Sequence, residues 1–234
     1  MIEPGKDTAH AVLMDRVYRR QRYIYDFTRK YYLLGRDRLV RQLGAQPGER
    51  IVEVGCGTAR NLIRMAERYP GARLYGLDAS AEMLRTAAES VARAHLTDRI
   101  VLKHGLAEDM NPGFFGLDGA FDHAIFSYSL SMIPDWRAAL LAASGSVRPE
   151  GFVHVVDFGD LKTLWPPVSR ALRAWLRLFH VVPRDELLRA LEGAGARTKE
   201  CSLFVLPGRY AFVLKASPSA LAKIAAPPQA HRRG

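Results

Sequence analysis

The chain has 234 residues, enough for one α/β domain with added helices and for a hydrophobic core that needs no disulfide or metal staple. Apolar residues make up 48% and charged residues 25%, ordinary for a globular protein and wrong for a disordered or fibrous one. With 34 Lys and Arg against 24 acids, the formal charge of +10 favours anionic partners such as nucleic acid, an anionic membrane face or phosphate-rich ligands.

Cys56 and Cys201 have neither metal spacing nor a CxxC arrangement, so no structural disulfide and no metal site are expected. No signal-peptide core and no stretch of about 18 uncharged apolar residues is present. The expected location is cytoplasmic, with any membrane contact peripheral and at the inner face.

Residues 1–11 are polar. From Asp15 to Gln42 the pattern is helical and rich in Tyr and Arg, with Gly35 dividing it into two helices. Residues 1–44 therefore read as a helical cap contributing to the active site. An alternation follows: a strand over Arg50–Gly55, a helix over Asn61–Tyr69, a strand over Arg73–Leu77 ended by Asp78, then a helix to about His95 with Ser80 as its N-cap. Arg99–Lys103 and Phe121–Phe126 read as strands, Pro134–Val147 as a helix, Arg148–Gly151 as a turn and Phe152–Asp157 as a fifth strand. Such repetition implies a doubly wound, mainly parallel sheet. Pro183–Ala194 reads as a helix, and Ala196–Leu206 with Tyr210–Ala216 as a closing antiparallel hairpin. The main domain is set at 45–216, and 217–234 reads as a flexible basic tail with at most one helical turn.

Residues 159–182 interrupt the alternation. Trp165-Pro-Pro167 reads as a stop, followed by an amphipathic helix over Val168–His180. Arg170, Arg173 and Arg177 share one side, and Leu172, Trp175, Leu176 and Phe179 the other. Such a helix is either a lid packed on the core or an interfacial element whose Trp/Leu side faces lipid.

In an open α/β sheet, ligands bind at the carboxyl ends of the strands near the switch point. Gly55 and Gly57 follow the first strand there and let the backbone approach a ligand closely. A glycine loop alone is weak evidence, since dinucleotide folds use one too. Here Glu53 gives E-x-G-x-G, and Arg60 stands where a third glycine of GxGxxG would be. Asp78, at the end of the second strand, is placed to accept two ribose hydroxyls. That acid occurs with both cofactor classes, so it indicates a ribose and not which cofactor.

The stretch Val52–Arg60 resembles motif I of the class I S-adenosylmethionine-dependent methyltransferases, and the likeness covers roughly residues 45–215. It implies a Rossmann-like fold with a mainly parallel seven-stranded sheet, a terminal antiparallel hairpin and helices on both faces. It also implies S-adenosyl-L-methionine as cofactor, S-adenosyl-L-homocysteine as product, and no metal. Gly55 and Gly57 would contact the methionine and ribose, with Glu53, Cys56 and Asn61 completing the loop's set. Asp78 would bind the ribose hydroxyls, and Ala79 and Met83 would flank the adenine. Gly105, Leu106, Ala107 and Glu108 would contact the adenine, although Glu108 also fits a solvated loop acid. Phe126, Ser127 and Tyr128 follow the fourth strand, where the methyl group meets its acceptor.

A narrower resemblance covers Met14–Gln21 and Ile24–Asp37, which look like the opening of the bacterial betaine-lipid N-methyltransferases. The acceptor it implies is the amine of diacylglyceryl-homoserine, methylated to the trimethylhomoserine lipid. Methylating an amine needs a neutral nitrogen in line with the methyl group, so positioning and desolvation matter more than a strong base. Aromatic faces stabilise the growing ammonium at about 0.5–2 kcal/mol each, and Tyr25, Tyr32 and Tyr128 are the candidates, core packing being the alternative for any one of them. Arg36 would pair with the carboxylate of either the cofactor or the homoserine. The main alternative acceptors are phosphatidylethanolamine or a quinone precursor. Ser127-Tyr-Ser-Leu-Ser131 lacks the Asn/Asp-Pro-Pro-aromatic motif of base-amino methyltransferases, so no specific nucleic-acid partner is expected.

Overall fold

The computed structural model describes residues 33–178, 181–193 and 199–226. Its helices are α1 (Arg36–Gln42), α2 (Arg60–Arg68), α3 (Ala81–Arg93), α4 (Trp136–Ser146), α5 (Pro166–Leu178), α6 (Asp185–Gly193) and α7 (Pro218–Ala225). Its strands are β1 (Arg50–Val54), β2 (Arg73–Asp78), β3 (Ile100–His104), β4 (Phe121–Ser127), β5 (Val147–Phe158), β6 (Cys201–Val205) and β7 (Ala211–Ala216). They form one seven-stranded sheet in the order β3-β2-β1-β4-β5-β7-β6. Strands β1 to β5 pair in parallel, and β7 pairs antiparallel with both β5 and β6. The expected architecture is therefore present.

The central strands are short apolar runs because they are covered on both faces. Alternate residues diverge: Val52, Phe126 and Leu214 join one core with α4, α6 and α7. Ile51, Ile125 and Val213 join the other with α1, α2, α3 and α5. Gly35, with φ of +88°, precedes α1 and accepts the first helical bond, from Leu39 N. Ser80 caps α3 by accepting from Met83 N at 3.2 Å, and Asp135 caps α4 by accepting from Ala138 N at 3.0 Å.

Three expectations change. Arg148–Gly151 is a register irregularity inside β5: pairing jumps from Phe121↔Val147 to His123↔Phe152, and the Arg148 side chain pairs with Glu49 at 2.9 Å and with Asp122. Pro166 and Pro167 begin α5 instead of stopping an element, since a missing N–H costs nothing in the first helical turn. The segment after Ser217 is not wholly a flexible tail: α7 buries Leu221 and Ala225 completely, and Ser217 caps it through Ala220 N. Residues 227–234, and residues 1–32 of the helical cap, lie outside the described residues.

At the amino-terminal edge of the sheet, His123 Nδ1 and His154 Nε2 lie 3.2 Å apart, and His123 Nε2 lies 3.2 Å from Glu49 Oε2. Burial lowers the pKa of both imidazoles, that of His154 strongly. No helix among the described residues is long and apolar enough to cross a membrane.

Candidate active site

After β1 the chain must turn sharply to enter α2. Gly55 and Gly57 supply φ angles of +75° and +56°. Gly55 is further required by space, since a Cβ there would lie 2.5 Å from the Ser129 Cβ. Gly55 N and Cys56 N both donate to Leu77 O, at 2.8 and 3.0 Å, which stitches the loop to β2. Asp78 completes the join. Its Oδ2 accepts from Gly57 N at 2.7 Å and its Oδ1 from Ser80 N at 2.9 Å. A carboxylate offers about four acceptor positions, so these backbone donors orient Asp78 without exhausting it.

A cleft opens at these carboxyl ends, beside the β1/β4 switch point. Gly55, Gly57, Asp78, Ala79 and Ser80 form one side, and Leu106, Ala107 and Glu108 form the floor after β3. Tyr128, Ser129, Met132, Ile133 and Pro134 form the far side. The set fits an adenosyl-type cofactor: a close backbone approach at Gly55, a carboxylate aimed by two N–H groups for a ribose diol, and apolar Leu106 and Ala107 for a purine. Among the described residues no cluster of His, Cys, Asp and Glu is placed to hold a metal ion.

Several expected residues stand behind the wall instead. Glu53 is buried, and its Oε1 accepts from Asn61 Nδ2 at 2.7 Å, so this pair ties the start of α2 to β1. Cys56 is buried, and burial followed by the Asp78 and Glu53 charges pushes its thiol well up, which keeps it neutral. Met83 lies buried in the first turn of α3 and serves through its N–H. Gly105 donates to Asp78 O at 3.1 Å and lies under the Phe114 ring, which leaves no room for a Cβ. Phe126 points into the core and Ser127 is buried in β4, so the wall begins one residue later, at Tyr128.

Tyr128 carries a φ of +58°, stacks edge-on against Phe158 at 4.7 Å, and donates from its hydroxyl to Leu34 O at 2.5 Å. Its ring is thus fixed. Arg36 does not reach this cleft. It lines a second one with Arg38, Arg41, Arg60 and Leu34, whose carbonyl accepts from the Tyr128 hydroxyl of the first. Tyr25 and Tyr32 lie outside the described residues.

The loop after β4 was the part least visible in sequence. Ser129 Oγ donates to Val54 O at 2.8 Å, pinning the loop to β1. Asp157, fully buried at the end of β5, accepts from Ser131 N at 3.0 Å and Phe158 N at 2.7 Å. Burial raises its carboxyl to about 6 against these donors and the Arg184 charge. Arg184 Nε donates to Leu130 O at 2.9 Å, and its Nη2 donates to Ile133 O. The serine spacing in Ser127–Ser131 was the only local signal, and nothing near Asp157 or Arg184 announced them.

Residues 51–151 match the family model described as a methyltransferase domain. Among curated proteins, a Geobacillus demethylmenaquinone methyltransferase is 30% identical over 161 residues, 67% of this chain and 65% of its own length. A Listeria monocytogenes protein of the same name is 28% identical over 160 residues, 67% of this chain and 65% of its own. The chain thus spans just under two thirds of the length of these relatives. Among solved structures, an S-adenosylmethionine-dependent methyltransferase from Aquifex aeolicus superposes with a TM-score of 0.58 at 18% identity, over 81% of this chain and 92% of that one.

Proposed function

We propose that this chain, whose residues 51–151 match a methyltransferase-domain model, is an S-adenosylmethionine-dependent class I methyltransferase that methylates the amine of a membrane lipid, the homoserine head of diacylglyceryl-homoserine. The observation that carries the reading is the far side of the cleft, where a fixed Tyr128 ring and the apolar Met132, Ile133 and Pro134 face the Gly55/Asp78 side.

The cofactor, when bound, supplies a methyl group activated on a sulfonium. The chain's own residues do the rest. Asp78 holds the ribose, and Leu106 and Ala107 enclose the adenine. The apolar far side excludes water and disfavours a charged ammonium, so an entering amine keeps its lone pair. Tyr128 offers its ring face to the cation that develops as the nitrogen is alkylated. The proton lost between successive methylations leaves to solvent, so no strong base is required. Arg36 lines the second cleft and is therefore not assigned to the homoserine carboxylate. The lipid specificity rests on the resemblance of Met14–Asp37.

A second reading has its own support. The curated relatives are named demethylmenaquinone methyltransferases, and an apolar wall also suits a flat quinone precursor. Incubating the purified chain with methyl-labelled cofactor and each acceptor in detergent separates the two. Label on mono-, di- and trimethylated homoserine lipid is expected. Label on demethylmenaquinone alone would replace the first reading with the second.

A further inference from the structure

Helix α5 carries three stripes where an ordinary surface helix carries two. Leu172, Trp175 and Leu176 pack inward against the core formed with α1 to α3. Arg170, Arg173 and Arg177 run along one flank. Pro167, Ala171, Ala174 and Leu178, spaced i, i+4, i+7 and i+11, form a third stripe that is exposed and wholly uncharged. Trp165 stands 71% exposed at the helix entry, and Leu178 and Val182 stand 68% and 53% exposed at its exit. Of the two readings of the Leu172, Trp175 and Leu176 face, packed on the core or turned to lipid, the structure shows the first, and a different face is presented outward.

We propose that α5 docks flat on an anionic lipid bilayer through this outward stripe, with Trp165 and Leu178 entering the headgroup region at either end and Arg170 and Arg177 on lipid phosphates. Charge complementarity selects the occupant. The helix contains no Asp or Glu, and the whole chain is +10. An uncharged face edged by arginines is the pattern of an interfacial helix. Arg173 is engaged on the protein side. Its Nη2 donates to Asp160 O and pairs with Asp185 at 3.4 Å, which holds the helix on the domain.

The position of the helix ties docking to the cleft. The segment leaving α5 donates from Val182 N to Ser131 O at 2.9 Å, and Arg184 grips Leu130 O two residues on. That loop continues directly into Met132, Ile133 and Pro134 of the far side. A docked α5 sets the acceptor side of the cleft beside the headgroups, so a lipid reaches the cofactor without leaving the membrane. In this purpose the docking rests on the acceptor being membrane-borne, as both readings above have it.

The test is co-sedimentation of the intact chain with phosphatidylcholine vesicles, with and without phosphatidylglycerol. Binding is expected only with the anionic lipid and should weaken with salt. The pair Trp165→Ser/Leu178→Ser and the pair Arg170→Gln/Arg177→Gln should each lower partitioning on the order of tenfold or more, with cofactor affinity unchanged. Partitioning that survives either pair overturns the proposal, as does absence of binding by the parent chain. So would an ultracentrifuge dimer that the serine pair converts to monomer, since a second copy would then cover the stripe. Vesicle binding without methylation of diacylglyceryl-homoserine sinks the acceptor reading alone. Methylation in detergent without vesicle binding sinks the docking alone.

Discussion

Asp78→Ala should damage the site in two separable ways. In the parent, the carboxylate accepts from Gly57 N and Ser80 N at 2.7 and 2.9 Å and, under the proposed function, would also accept two ribose hydroxyls. Removing it orphans two partly buried backbone donors at about 1 kcal/mol each. For a domain of this size, a loss of about 2 kcal/mol lowers Tm by roughly 4–8 °C. Hydrogen bonds to a charged acceptor are worth about 1.5–3 kcal/mol, and this open cleft favours the low end, so losing the ribose pair costs about 3 kcal/mol. Cofactor Kd then rises roughly 150-fold. Calorimetry with S-adenosylhomocysteine and its 2′-deoxy analogue separates loop damage from ribose contact. The parent should bind the deoxy analogue more weakly, whereas the variant should not distinguish the two. A variant that still discriminates against the deoxy analogue, or binds within threefold of the parent, would refute the ribose assignment.

Gly55→Ala should reduce cofactor binding more than tenfold, because a Cβ 2.5 Å from that of Ser129 must displace the loop at a φ of +75°; calorimetry showing parental affinity would refute it. Asp157 contributes a pH-dependent stability of unusual sign. Its folded pKa of about 6 lies above the ordinary aspartate value of 3.8, so its contribution is intact below pH 4, is lost as pH rises to about 6, and is flat above. The loss is on the order of 3 kcal/mol. Asp157→Asn should therefore gain stability relative to the parent between pH 4 and 6 in denaturant titrations, and a constant difference would show that Asp157 does not titrate there. The His123/His154 pair acts oppositely. Burial lowers both folded pKa values, so the unfolded chain binds protons first and stability falls as pH drops below about 6.5. His154→Leu should flatten that acid limb, and a limb unchanged in slope would exclude the pair as its cause. Leu221→Ala should cost about 2–5 kcal/mol, since this side chain is fully buried; an unaltered unfolding midpoint would mean that α7 does not pack as described.

The sequence alone determined the order of strands and helices, the glycine turn and Asp78, because each depends on local chemistry: runs of apolar residues, a positive φ, an acid closing a strand. The Ser80 cap was legible for the same reason, as side chain and donor lie three residues apart. What tertiary structure decided involves residues distant in the chain. Glu53, Cys56, Asn61 and Phe126 sit in the right motifs, yet sheet packing turns their side chains behind the wall. Ser129, Met132 and Ile133 reach the wall because β4 pairs with both β1 and β5, which brings Val54, Asp157 and Arg184 to one loop. The tail became a helix because α4 offers Leu221 a buried seat, a fact absent from its own composition. Periodicity likewise marked α5 as amphipathic, but only packing fixed which apolar side faces the core. Both sides are uncharged, and a helix pattern by itself cannot say where its neighbours lie.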